Sequence, residues 1–213
     1  MSNPSFTFSN TDLLAYGRKH QYAQLMFCGA GDDYAAARCL CLNRLMFSGF
    51  PLFSQSIEKV LKAITFLETG LPTTLKRQDK HNPYLLKQEL QTTANYGLNE
   101  YDDVLKALYG HFQQRYFDNK DPSKSMSGDE LEAFDRLWVH LFEKTPFPTD
   151  VKYRLKFPAM LFEQSVLRWM PQYRAWVVRD NKALAPKLSE MEATYLAVER
   201  HYSSQAIDRQ GHS

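Results

Sequence analysis

The sequence predicts an all-α protein, an up-and-down helical bundle with extra C-terminal helices, on three observations. Apolar residues recur every three or four positions through almost every segment. Alternating β-branched runs of the kind a strand needs are absent, and Val and Ile are scarce. The breaks between periodic segments are short, which favours antiparallel neighbours. At 213 residues, with 44% hydrophobic and 23% charged side chains, the chain suits a single domain with an ordinary core. Its 14 Phe, 12 Tyr and 3 Trp call for burial or stacking, which argues against disorder outside the ends.

The elements follow in order. A first helix is expected near 10–27, capped by Asn10 or Thr11, with Leu13, Leu14, Tyr16, Tyr22, Leu25 and Met26 as apolar positions. "CGAG" at 28–31 reads as a break. A second helix, 32–47, opens on Asp32 and Asp33, where the helix dipole favours acids. "SGFP" reads as a turn, with Pro51 in a first helical turn. The third helix, 51–68, aligns Phe53, Ile57, Val60, Leu61, Ile64 and Leu67 on one face and stops at Gly70 and Pro72. A basic loop, "LPTTLKRQDKHN", leads to a fourth helix from Pro83 to about Ala94, and a fifth spans 100–116. The polar loop 118–128 is expected to be mobile and open to nicking. A sixth helix covers 129–143, and helices at 158–179 and 187–203 complete the chain.

Charge and cysteines exclude several classes. A formal net charge of +2 is too small to argue for nucleic acid alone. Cys28, Cys39 and Cys41 are odd in number and fit neither a disulfide framework nor a zinc loop, so free thiols and a cytoplasmic location are expected. "MSNPSFTFSN" has no signal-peptide pattern, and no apolar run reaches the ~18 residues a membrane helix needs. No nucleotide-binding glycine loop, zinc-protease motif or hydrolase elbow occurs, so no metal or cofactor is expected.

Three pieces carry a family resemblance. "DDYAAARCLCLNRLMFSGFPLFSQSIEKVLKAI" ends in Gln55, Glu58, Lys59, Leu61, Lys62 and Ala63, "KHNPYLLKQEL" follows the basic loop, and "QRYFD" holds Arg115, Tyr116 and Asp118. Over about residues 32–118 the chain resembles the HEPN family, all-α domains built on a four- or five-helix bundle. The resemblance implies a HEPN-like core at 10–118, a C-terminal helical extension at 129–213, a homodimer, and a nucleotide or RNA as ligand.

The candidate binding site combines that resemblance with helical geometry. Gln55, Glu58, Lys59 and Lys62 fall at i, i+3, i+4 and i+7, one stripe opposite the apolar face and expected to be polar surface or a groove. Lys76, Arg77, Lys80 and His81 lie on the loop that a HEPN-like bundle would return to the stripe, and Arg115 and Tyr116 would approach the same groove. Cations with an aromatic plane suit a phosphate and a base.

HEPN ribonucleases resemble one another in an arginine followed by a histidine four to six residues later in the intervening count. Here only Arg77 with His81 and Arg136 with His140 come close, each with three residues between, and His140 sits among Trp138, Val139 and Leu141 as a structural histidine would. Catalysis is therefore not expected. Farther on, residues 150–187 hold eight basic against three acidic side chains, with Trp169, Tyr173 and Trp176 interleaved at core-like spacing. The sequence thus favours a non-catalytic nucleotide- or RNA-binding protein. Its alternatives are a metal-independent endoribonuclease of toxin type using His81 or His140, and a helical protein-interaction module with a protein partner. No membrane role is expected.

Overall fold

The computed structural model describes residues 20–113 and 128–210, with the side chains of Trp169 and of 205–210 left out. Among these residues the protein is all-helical, with ten α-helices, two short 3-10 turns and no strand. The expected caps Asn10 and Thr11, the loop 118–127, Arg115 and Tyr116 lie outside them.

Helix α1 (Gln21–Leu42) runs straight through "CGAG", so the predicted break does not occur. Gly31 serves packing instead: a Cβ there would lie 3.0 Å from Phe157 Cβ, and Tyr173 donates its hydroxyl to the Gly31 carbonyl at 3.0 Å. The turn predicted at "SGFP" lies earlier, at Asn43–Leu45, where Arg44 takes a left-handed φ of 63°. Helix α2 (Met46–Thr69) therefore begins five residues sooner than expected and contains Pro51. The Phe47 carbonyl loses its i+4 donor there, but Phe47 is exposed and water can serve it. Gly49 permits the close α1–α2 approach, since a Cβ would fall 2.9 Å from the Ala37 carbonyl. Gly70, at φ 72°, ends α2 as predicted, donating to Phe66 O at 2.8 Å.

Asn82 caps α3 (Pro83–Gln91), accepting from Tyr84 N at 3.0 Å. A turn at Gly97 and a 3-10 segment, Leu98–Tyr101, lead into α4 (Asp102–Gln113). Helix α5 (Gly128–Lys144) follows. The single helix predicted at 158–179 is three: α7 (Lys156–Phe162), α8 (Gln164–Trp169) and α9 (Pro171–Val178), preceded by α6 (Thr149–Tyr153). Pro171 explains the second break, because its ring pushes Met170 out of helical geometry, to ψ 58°. Helix α10 (Leu188–Gln210) closes the chain.

The α1–α2 antiparallel hairpin is the spine, and α3, α4 and α5 pack on α2 while α7 and α9 pack on α1. Aromatic rings fill the space between them. Trp138 stacks on Tyr34 at 4.7 Å, and Phe27, Phe53, Phe134 and Phe157 surround that pair. Inside this core sits a polar joint. Arg38, 0% exposed, pairs with Asp135 of α5 and donates to the Trp176 carbonyl (2.9 Å) and the Arg179 carbonyl at the end of α9. Tyr34 donates to Asp135 at 2.8 Å, and Asn181 donates to Tyr34 Oη at 2.8 Å. Burial pushes the Asp135 carboxyl up from its ordinary range, against the downward pull of Arg38. The joint ties the C-terminal helices to α1, so they are part of the same core.

Candidate functional site

Of the two arrangements the sequence leaves open for the stripe on α2, polar surface or groove, the structure shows a largely covered one. Glu58 and Lys62 have side chains only 9% and 10% exposed, and Lys62 Nζ donates to Glu58 Oε1 at 2.5 Å. They can be buried because they neutralise and hydrogen-bond each other at i, i+4. Lys59, one position round the helix, goes elsewhere: its Nζ meets Asp33 Oδ2 of α1 at 2.7 Å. Burial raises the Asp33 carboxyl above the usual aspartate range, and the Lys59 pair only partly offsets this. Gln55 is half-buried and makes no hydrogen bond to this cluster among the described residues.

The basic loop does return to the stripe, at His81. His81 Nδ1 donates to Glu58 Oε1 at 3.1 Å, so one carboxylate oxygen holds both a helix lysine and a loop histidine. Phe112 of α4 lies parallel to the His81 ring, at 6.0 Å and 10°. Tyr22 of α1 lies near the same carboxylate. Its hydroxyl is raised above the ordinary tyrosine range by burial and by the Glu58 charge.

The other end of the loop is fixed by Glu89 of α3. Its carboxylate accepts from the Thr74 backbone N–H at 2.6 Å, from Thr74 Oγ1 at 2.6 Å and from Thr73 Oγ1. Burial alone would raise this carboxyl; the three hydrogen bonds outweigh it and hold it below the ordinary glutamate range. Between the two anchors, residues 76–80 form one helical turn, with Lys80 N donating to Lys76 O at 3.0 Å. Lys76 and Arg77 are exposed and Lys80 half-exposed. None of the three meets a carboxylate among the described residues. By contrast, Lys59, Lys62 and Lys87 of the neighbouring helices are all paired.

The remaining sequence candidates separate from this cluster. His140 is half-buried and donates from Nε2 to the Tyr96 carbonyl at 2.7 Å, while Arg136 is exposed and held by Glu132 at 2.8 Å. The two do not form a pair. The basic surplus at 150–187 is largely met by carboxylates from elsewhere: Lys156 by Asp32 at 2.8 Å, Lys182 by Glu132 at 2.8 Å, and Lys187 by Glu143. Tyr173 is buried, as its core-like spacing suggests.

Sequence reasoning missed Asp33, Glu89, Thr73, Thr74 and Phe112. On the sequence Asp33 reads as a helix-entry acid, and nothing local marks Glu89 as a partner for a residue 15 positions upstream. No group of His, Cys, Asp and Glu among the described residues could hold a metal ion, and no described helix is long and apolar enough to cross a membrane. In comparisons with known proteins, no family model, no curated protein and no solved structure matches the chain.

Proposed function

We propose that this is a HEPN-like, non-catalytic helical protein that binds a nucleotide or RNA through the turn Lys76–Lys80. One observation carries the reading: the turn is anchored at both ends by carboxylates, Glu89 and Glu58, while among the described residues its own three cations meet no carboxylate. Fixed, unpaired cations are ready to replace the counterions of a phosphate chain at little ordering cost. Lys59 and Lys62 contribute position, not contact, since each is already paired. The resemblance adds a homodimer to the proposal, checked by sedimentation, and the free thiols expected of the three cysteines add a cytoplasmic location.

The test is fluorescence anisotropy with a labelled RNA at low salt. Replacing Lys76, Arg77 and Lys80 together by Ala should weaken binding by about tenfold or more, on the order of 1.4 kcal/mol. Unchanged affinity in the folded variant would remove the site.

The Glu58–His81 pair supports a second reading, a metal-independent endoribonuclease. A buried carboxylate on the Nδ1 edge orients a half-exposed imidazole, the kind of group that moves a proton in metal-independent RNA cleavage. RNA cleavage that persists with a chelator and disappears in His81→Ala would favour it.

A further inference from the structure

We propose that the site takes an unpaired base stacked on His81, with the adjoining phosphate on the basic turn, so that its ligand class is a free nucleotide or a single strand and not a duplex. This rests on the reading of Lys76, Arg77 and Lys80 as phosphate contacts.

The argument begins with a comparison inside the molecule. His81 and His111 are each held by a glutamate. His111 Nε2 lies 3.0 Å from Glu130 Oε1, with its side chain 5% exposed and its ring against Phe50 at 4.8 Å. It is a core strut. His81 has the same kind of partner, Glu58 at 3.1 Å, yet 45% of its side chain remains open. The two rings share a kind of partner and differ in access.

Two described neighbours hold His81. Phe112 backs the ring in parallel at 6.0 Å and 10°, and Glu58 takes the Nδ1 edge. The ring is thereby fixed in orientation by two contacts from α2 and α4. A planar group held in this way offers a stacking surface whose ordering cost has been met in the free protein. Stacking on aromatic rings, histidine included, is how unpaired bases are commonly gripped.

The phosphate contacts lie in the same short segment. Lys80 is the neighbour of His81 in sequence, and Lys76 sits one helical turn before Lys80, joined to it by the 3.0 Å backbone hydrogen bond. A base on His81 therefore has cations beside it on one rigid element. A duplex keeps its bases stacked inside and presents phosphates alone. It could use the cations but not the ring.

The experiment compares a labelled single-stranded RNA, the same strand annealed to its complement, and ATP as competitor, at one salt concentration. The single strand should bind about tenfold tighter than the duplex. Two variants separate stacking from structural support. His81→Phe keeps a ring against Phe112 and loses the bond to Glu58, whereas His81→Gln keeps a donor to Glu58 and loses the ring. Stacking predicts that the Phe variant retains single-strand affinity and the Gln variant loses about tenfold. A purely structural histidine predicts the reverse, and that result would overturn the inference. Equal affinity for strand and duplex would overturn it too, while a Lys76/Arg77/Lys80 variant that still weakened both would leave the phosphate reading standing. If that variant bound the single strand as well as the native protein does, both readings would fall. Competition by ATP at the single-strand site identifies the mononucleotide as a sufficient ligand; without competition, the longer strand is the source.

Discussion

The protein contains two clusters built from the same chemistry and put to different ends. In the Arg38–Asp135 joint, a cation and a carboxylate meet in the core, and Tyr34, Asn181 and two backbone carbonyls complete their hydrogen bonds. Nothing is left over for a ligand. In the Glu58 cluster, a carboxylate again holds a buried cation, Lys62, but its second partner is a half-open histidine at the end of a basic turn. The difference teaches that charge type does not separate framework from the proposed site. Access does: the first cluster is closed on every side, and the second opens along His81 and the turn beside it.

The largest effect should come from breaking the closed cluster. Arg38→Met leaves Asp135 charged and buried without its partner, which should cost about 3–5 kcal/mol in urea unfolding. Adding Asp135→Leu should restore most of that loss, because removing both charges also removes the desolvation penalty. If the double variant were no more stable than the single, the joint would be holding the fold by something other than charge compensation.

Glu58→Gln should have an intermediate effect, about 1–3 kcal/mol, since it weakens two charge-assisted hydrogen bonds at a nearly buried position. It should also speed amide exchange across residues 76–81, where the closed cluster's variants should not. Lys62→Ala should be costlier than Lys59→Ala, whose ion pair with Asp33 is half-open and expected to contribute about 0–1 kcal/mol.

A smaller effect is expected at the Glu89 anchor, and it depends on pH. Its carboxyl is held below the ordinary value, so its stabilising contribution is present above the unfolded glutamate pKa of about 4.3 and is lost as pH falls through the folded value. Exchange of the Thr74 amide, corrected for intrinsic rates, should therefore quicken on acidification, and Glu89→Gln should show the same behaviour at neutral pH. An amide equally protected in that variant would show that the turn is held by other contacts. Least of all should stability change in the Lys76/Arg77/Lys80 triple variant, to within about 0.5 kcal/mol, since these side chains support no packing.

Much of the fold can be read from periodicity. The apolar positions Phe53, Ile57, Val60, Leu61 and Ile64 are all buried, and Gly70 ends the helix that carries them. What misleads is the assumption that a helix has one buried face. Helix α2 touches α1, α3, α4 and α5, so its charged stripe is also covered, and Glu58 with Lys62 tolerate this by pairing. Gly31 and Gly49 look like breakers because their role, close helix approach, depends on partners far along the chain. For the site, Glu58, His81 and the basic residues beside it could be selected from sequence. Glu89 and Phe112 could not, because they meet the loop only after α3 and α4 have packed against α2.

The central claim is that Lys76, Arg77 and Lys80, and not Lys59 and Lys62, meet the phosphates. The most direct measurement is the salt dependence of RNA affinity for the native protein, the triple alanine variant and Lys59→Ala. Each lost phosphate contact on a single strand should reduce the log–log slope by about 0.7. The triple variant should lower the slope by about 1.4–2.1, corresponding to two or three contacts, and Lys59→Ala should leave it unchanged. A native slope in the triple variant, or a reduced one in Lys59→Ala, would contradict the claim.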